Sequence, residues 1–146
     1  MDRRAFLGTA LTGGVAALSG CSGLLGRARG GGVDAELSLV ETDIKSAEPP
    51  VVEKTETGIT VRGRVSYGST NCGTVRVAHA KYQETQNRVD VLVVAGDARN
   101  KPNGCSDAVT SSGYEVEVTY PEQASHVAVT EHHVFGEAYS TTIELN

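Results

Sequence analysis

The feature that most constrains the fold is the alternation of apolar and polar residues in short segments. Residues 59–67 read ITVRGRVSY and residues 114–120 read YEVEVTY, so an apolar residue or a glycine occupies every second position. Successive side chains of a β-strand point to opposite faces, so this pattern indicates strands with one buried face. No segment keeps a 3.6-residue period over more than one turn. The sequence therefore predicts an all-β protein.

The strands are short and fairly regularly spaced. The run VDVLVVA at Val89–Ala95 is almost continuously apolar and predicts a central strand, whereas residues 96–113 predict a long polar loop. The parity of the apolar positions changes between Val77 and Ala78, which indicates a bulge. Gly63 falls on the inner face of its strand, where it allows another group to approach closely. Seven or eight such strands predict one β-sandwich or barrel domain over residues 34–146.

The pattern resembles the immunoglobulin-like sandwiches over about Glu36 to Leu145. Tyr114 opens a predicted strand much as the tyrosine-corner residue of that superfamily does. Cys72 and Cys105 lie in predicted loops, not at the mid-strand positions of antibody domains. The resemblance implies an antiparallel two-sheet sandwich and carries no catalytic motif.

The first 21 residues, MDRRAFLGTALTGGVAALSGC, form a separate unit. Arg3 and Arg4 precede an uncharged run, residues 5–18, that is shorter than the roughly 20 apolar residues needed to cross a bilayer. A basic start, a short apolar run and small residues are typical of an export signal. The segment resembles the twin-arginine signals, in which a variable residue, Phe and Leu follow the arginine pair. Asp2 and Gly8 differ from the residues usual in those signals.

Leu18-Ser19-Gly20-Cys21 resembles a lipobox, in which small residues precede a cysteine whose thiol receives a diacylglycerol. The resemblance implies that residues 1–20 are a signal peptide and that Cys21 is the first, lipidated residue of the mature chain. It places the protein on the extracytoplasmic face of the membrane. Residues 21–33, rich in glycine, are interpreted as a flexible tether. An uncleaved hydrophobic anchor and an ordinary secretory signal are the alternatives.

The composition limits the classes of partner that the protein is expected to bind. The formal net charge is -5, and there is no Trp. Acidic residues in excess, with little lysine, resemble secreted proteins of salt-loving archaea. An acidic chain without a basic cluster argues against binding to nucleic acid.

Two cysteines remain after Cys21. Cys72 and Cys105 are an even pair in a chain with an export signal, where disulfides persist, so we predict that they are bridged. Neither has a second cysteine two residues away, which argues against a zinc knuckle. A metal or redox pair is the alternative.

Histidines are the most tempting candidates for a metal site. His132 and His133 are adjacent and would point to opposite faces of a strand, and His126 lies about 20 Å away if the strand is extended. All three are therefore interpreted as exposed polar residues, and no metal is predicted. His79 is isolated in a strand. Asp97 and Asp107 flank the long loop without the spacing of a calcium loop.

The chain contains no Gly-x-Ser-x-Gly elbow, Ser-x-x-Lys motif, P-loop or dinucleotide-binding glycine pattern. We therefore expect no catalytic residue and no cofactor. The sequence favours a membrane-anchored lipoprotein whose β-sandwich binds an unknown protein or surface ligand. A small-ligand or metal carrier is the alternative, and a hydrolase with a dispersed site is a third.

Overall fold

A computed structural model of the chain describes residues 24–97 and 104–146. These ranges contain nine strands: β1 Leu24–Gly30, β2 Val33–Leu39, β3 Val51–Lys54, β4 Gly58–Gly68, β5 Gly73–Gln83, β6 Arg88–Asp97, β7 Val109–Thr119, β8 His126–His132 and β9 Ala138–Glu144. The one helical element in the described ranges is the short 3₁₀ turn Glu84–Gln86. The expectation of an all-β protein is therefore confirmed.

The strands form two sheets that pack face to face. One sheet has the order β1-β2-β7-β4-β3 and the other has the order β5-β6-β8-β9. Strands β4 and β7 are paired along their whole length, from Gly58 opposite Thr119 to Gly68 opposite Val109. The predicted sandwich is confirmed, with nine strands instead of seven or eight.

The core between the sheets is built mainly from valine. Most of the alternating positions predicted to be apolar point inward, and the valines on the inner faces of both sheets are almost completely buried. Valine suits this role because its branched side chain packs well on a pleated surface and loses little rotamer freedom in a strand. The fully buried valines are Val61, Val65, Val75, Val89, Val93, Val116, Val127 and Val129.

One pair of neighbouring strands is parallel, which departs from the antiparallel sandwich that the sequence predicted. Strand β8 runs alongside β6 in the same direction, with Val89 opposite Val127 and Val93 opposite Glu131. The strand between them in the chain, β7, lies at the centre of the other sheet. After β6 the chain leaves the second sheet and forms β7 at the centre of the first. It then returns to the second sheet as β8, which lies beside β6 and runs in the same direction.

The interpretation of residues 21–33 as a flexible tether is wrong for Leu24–Gly30. These residues form strand β1, paired antiparallel with β2. Gly31 and Gly32 make the turn between the two strands with φ values of 60° and 85°, conformations that favour glycine and suit a two-residue hairpin. The glycines thus mark a hairpin turn, and Arg27 pairs across it with Asp34.

Strand β7 begins earlier than expected, and this corrects two further predictions. It starts at Val109, so the polar loop after β6 ends before this residue instead of at Gly113. Tyr114 therefore lies in the middle of a strand and is not a tyrosine-corner residue. The predicted bulge is confirmed, because the register between β5 and β6 shifts between Val77 and His79.

Among residues 24–97 and 104–146 there is no helix that is long and apolar enough to span a membrane. Arg3, Arg4 and Cys21 lie outside those residues. Their assignment to an export signal and a lipidation site stays a prediction.

Candidate functional site

The predicted bridge between Cys72 and Cys105 lies at one end of the sandwich, which we call the disulfide end. The two Cα atoms are 5.5 Å apart. Cys72 precedes β5 and is buried, and Cys105 lies in the loop that precedes β7. The bridge therefore joins the segment before β5, in one sheet, to the segment before β7, the central strand of the other sheet.

Hydrogen bonds between the two loops reinforce the disulfide. The Asn71 side chain donates to the Gly104 carbonyl oxygen at 3.1 Å and accepts from the Ser106 backbone N–H at 2.8 Å. The Thr70 backbone N–H donates to the Ser106 hydroxyl at 3.0 Å. These contacts fix the described part of the second loop against the first.

The turn between β8 and β9 lies at the same end. The His133 N–H donates to the Glu137 carbonyl at 2.9 Å, and the Gly136 N–H donates to the His133 carbonyl at 3.1 Å. Gly136 has a φ of 90°, as a three-residue hairpin loop requires at its last position. Phe135 stands at the tip of this turn and is 73% exposed.

His133 ties this turn to the other sheet. The backbone N–H of Ser66, in β4, donates to Nδ1 of His133 at 3.1 Å, and the Val134 N–H donates to the Ser66 carbonyl at 3.0 Å. The His133 ring also packs edge-on against Tyr139, with ring centroids 5.3 Å apart. The His133 side chain is 3% exposed, so it acts as an internal link between the sheets.

A buried polar cluster lies directly below this link. The Glu131 side chain is 0% exposed, and its Oε2 accepts a hydrogen bond of 2.6 Å from the Tyr114 hydroxyl. Its Oε1 is 3.7 Å from His133 Nε2, and neither of these two atoms has a hydrogen-bond partner. A Cβ on Gly63 would overlap Glu131 Oε2 and approach the Tyr114 hydroxyl to 2.7 Å. The close approach expected at Gly63 is therefore confirmed.

Burial changes the acidity of all three groups. It raises the pKa of Glu131 from 4.5 to about 7, and the hydrogen bond from Tyr114 opposes this rise. Burial also raises the pKa of Tyr114, which the neighbouring carboxylate raises further. Burial lowers the pKa of His133 and favours the neutral imidazole. Removal from water disfavours the charged form of each group, so burial favours the neutral forms of Tyr114 and His133 and moves the pKa of Glu131 up to about 7.

The hydrogen bond to His133 Nδ1 also fixes the tautomer. A ring nitrogen that accepts a hydrogen bond carries no proton, so the proton of the neutral imidazole resides on Nε2 and points toward Glu131. Binding of a metal ion at Nε2 would require either loss of this proton to give an imidazolate or loss of the Ser66 hydrogen bond. His133 in this arrangement carries its proton on the nitrogen nearer the carboxyl group, at a distance too long for a hydrogen bond, and is unsuited to bind a metal.

The three candidate histidines do not converge. His126 lies at the opposite end of β8, where its Nδ1 is 2.8 Å from the Ser125 hydroxyl. His132 is exposed and His133 is buried. Within residues 24–97 and 104–146, no group of three or more His, Cys, Asp or Glu side chains is arranged to hold a metal ion. His79 is exposed on β5, and Asp97 and Asp107 are exposed at the disulfide end.

The interpretation of His133 as an exposed residue is wrong, and Glu131, two residues before it, is also buried. Glu131 is in phase with Val127 and Val129 in β8, so the period of two places all three on the inner face. This periodicity was the signal that could have identified a buried carboxyl group. Its partner, Tyr114, is in phase with Val116 and Val118 on the inner face of β7 in the same way.

A groove of about 570 Å³ opens at the disulfide end. It lies between the β8–β9 turn and the loop that carries Cys105, and His132, Phe135, Val94 and Asp107 are among the side chains that line it. The volume falls in the range of small-molecule sites. The lining combines an aromatic ring, an aliphatic side chain and polar groups.

Comparisons with protein-family models, curated proteins and solved structures found no match to this chain.

Proposed function

We propose that this protein is an extracytoplasmic lipoprotein, anchored in the membrane through Cys21, whose β-sandwich serves as a binding module. The observation that carries the proposal is the order of its parts. A charged Arg3-Arg4 start, an uncharged run and Leu18-Ser19-Gly20-Cys21 precede a domain closed by the Cys72–Cys105 bridge. Disulfides persist in the oxidising compartments that such a signal serves. The anchor and the bridge thus indicate the same side of the membrane.

The buried cluster supports a binding role over catalysis. Glu131 and Tyr114 are both 0% exposed, so no substrate contacts the group whose pKa is most perturbed toward neutrality. Perturbed pKa values also occur in structural clusters. The short turns and the groove at the disulfide end are exposed. Loops held by a rigid scaffold commonly carry binding residues.

A small-ligand carrier is the second candidate, and the groove at the disulfide end favours it. Its lining of Phe135, Val94 and polar side chains suits a small molecule with an apolar part. Metal transport is less favoured, because the proton on His133 Nε2 and the separation of His126 from His132 leave no cluster of ligands in the part of the chain that the structure describes. No contact in the described residues favours hydrolysis.

Intact-mass measurement of protein from the membrane fraction tests the proposal. We expect a diacylglycerol-sized addition on the wild type and none on Cys21→Ser. Ser22→Ala serves as the matched control and should keep the lipid. An unmodified wild-type thiol at Cys21 would refute the anchor.

The export route is tested separately. Arg3→Lys combined with Arg4→Lys keeps the charge and changes only the donor geometry. We expect this double variant to remain in the cytoplasm. Normal amounts at the surface would indicate the general secretory route, without affecting the assignment of Cys21.

A further inference from the structure

The two cysteines of the bridge lie in unequal surroundings. Cys72 is 2% exposed, whereas Cys105 is an exposed residue. Among the described residues, Cys105 lines the groove at the disulfide end and Cys72 does not. A small thiol that enters this groove therefore meets Cys105 while the domain is folded, and Cys72 stays covered.

A tight turn before β5 holds Cys72 in its buried position. The backbone N–H groups of Cys72 and Gly73 donate to the hydroxyl and the carbonyl oxygen of Ser69 at 3.2 Å and 2.8 Å. Ser69 is itself buried. A Cβ on Gly73 would lie 2.3 Å from both the Gly68 carbonyl oxygen and the Tyr67 ring, so the space around this turn is filled. Cys72 cannot swing outward to meet a reagent unless the turn opens.

The segment that carries Cys105 is held in a different way. Residues 104–108 lie outside the strands, and hydrogen bonds of the Asn71 side chain hold Gly104 and Ser106 on either side of Cys105. These hydrogen bonds do not involve the sulfur atoms, so they can keep Cys105 beside Cys72 while the bridge is open. A free Cys72 thiol would then act on Cys105 at a high effective concentration, which makes opening of the bridge reversible.

We propose that Cys105 is a thiol-exchange site: in the folded protein a small external thiol enters the groove, its thiolate attacks Cys105 Sγ, and Cys72 is the leaving sulfur. The outcome of thiol–disulfide exchange depends on which of the two sulfurs the thiolate can reach. The groove gives access to Cys105, whereas the turn around Ser69 and Gly73 covers Cys72. The inference does not depend on lipidation of Cys21.

The exchange proceeds in two displacements at sulfur. The external thiol loses its proton to water, a bond forms between its sulfur and Cys105 Sγ, and the S–S bond breaks. The electron pair of that bond leaves with Cys72, whose thiolate takes a proton from water. A second external thiolate then attacks the external sulfur of the mixed disulfide and releases the Cys105 thiolate, so the bridge is reduced by two electrons and two thiols are oxidised to a disulfide. In the reverse direction, the Cys72 thiolate attacks Cys105 Sγ and expels the external thiolate, which closes the bridge.

Mapping of the mixed disulfide tests the inference directly. In the full chain with Cys21→Ser, Cys72 and Cys105 are the remaining cysteines. The folded, bridged protein is treated with excess 2-mercaptoethanol at neutral pH, quenched in acid at several times and mapped by mass spectrometry. We expect at least about tenfold more mercaptoethanol on Cys105 than on Cys72, because exposing Cys72 needs a local opening that costs at least about 1.4 kcal/mol. The same protein treated in urea is the control and should carry the reagent on both cysteines in similar amounts.

Two single variants in the same Cys21→Ser background give a matched second measurement. Cys72→Ser leaves the thiol of Cys105, Cys105→Ser leaves the thiol of Cys72, and both lose the bridge. Circular dichroism first establishes that each variant is folded. The thiol of Cys72→Ser should then react with an aromatic disulfide at least about tenfold faster than the thiol of Cys105→Ser, and the two rates should agree in urea.

Three results would overturn the inference. The first is equal addition to both cysteines of the folded, bridged protein, or preferred addition to Cys72. The second is a bridge that exchanges only after the domain has unfolded in urea. The third is equal thiol reactivity in the two folded variants. Because the mapping experiment keeps the bridge intact, it decides the question even where a variant does not fold.

Discussion

Replacing the buried carboxyl group of Glu131 by an amide should stabilise the protein at alkaline pH. Glu131 is fully buried, and its one hydrogen bond comes from Tyr114. The remaining titratable groups that face it are His133 and, on the paired strand β9, Tyr139. Glutamine keeps the shape of the side chain, and its carbonyl oxygen can accept the hydrogen bond that the Tyr114 hydroxyl donates to the carboxylate. Glu131→Gln therefore removes the buried charge and preserves the packing.

The sign and size of the effect follow from the pKa. Because burial raises the pKa of Glu131 from 4.5 to about 7, the folded protein keeps a proton that the unfolded chain releases. The free energy of unfolding therefore falls as pH rises between 4.5 and about 7, and the loss is complete above that range. One pKa unit corresponds to about 1.36 kcal/mol, so the rise from 4.5 to about 7 lowers the free energy of unfolding by about 3 kcal/mol above that range. The Glu131→Gln variant should match the wild type near pH 4 and exceed its stability by about 3 kcal/mol at pH 8.

Urea unfolding followed by circular dichroism at several pH values measures this difference directly. Glu117→Gln is the matched control, because Glu117 is exposed on the outer face of β7 and its replacement should change stability by less than about 0.5 kcal/mol. Parallel stability curves for the wild type and Glu131→Gln across this pH range would refute the reasoning. So would a Glu131→Gln variant that is less stable than the wild type at pH 8.

Three further substitutions test the same end of the sandwich. Tyr114→Phe removes the hydrogen bond that favours the carboxylate, so it should raise the pKa of Glu131 further. We expect it to lower the free energy of unfolding by about 1–3 kcal/mol, with a larger loss at pH 8 than at pH 4, as measured by urea unfolding. Gly63→Ala places a methyl group against the carboxyl group and should cost about 1–3 kcal/mol. An equally stable Gly63→Ala would contradict the packing, and Gly26→Ala, which meets no atom within 4 Å, is its control. Replacing both bridged cysteines by Ser opens a loop with a sequence separation of 33 and should lower the free energy of unfolding by about 4 kcal/mol. Scanning calorimetry should then show a fall in melting temperature of roughly ten degrees or more. Two alkylatable thiols in the unreduced wild type, apart from an unlipidated first cysteine, would show that this bridge does not form.

The alternation of apolar residues was sufficient to predict the sandwich and most of its strands. It succeeded for β4 because apolar residues or glycine occupy every second position, and the almost continuous apolar run predicted β6. It gave the wrong start for β7 because Thr110 and Ser112 occupy inward positions near the end of the sheet, where polar side chains interrupt the apolar pattern. One of them, Ser112, lies 2.9 Å from the Tyr67 hydroxyl, so its polar group is satisfied.

The site was harder to predict than the fold. Glu131 follows the inward phase of β8, but the carboxyl group and the two histidines after it are typical of an exposed strand end. Burial of Glu131 depends on Gly63 and Tyr114, which come from other strands, so no local pattern contains it. The tether prediction failed for a related reason, since the glycines before β2 fit a flexible segment and a hairpin turn equally well until a pairing strand is known.

The parallel pairing of β6 with β8 has a consequence for how the chain acquires its structure. Parallel neighbours cannot be joined by a tight turn, and here the connection contains β7, the strand between β2 and β4. The second sheet can therefore be completed only after the chain has passed through β7, a strand of the first sheet. Contacts between residues distant in sequence slow folding, because the chain loses entropy in closing a loop before the contact can stabilise it. We expect a single slow cooperative folding step. A fragment that ends before β8 lacks two of the four strands that pack against the first sheet, so it should not retain the native sandwich.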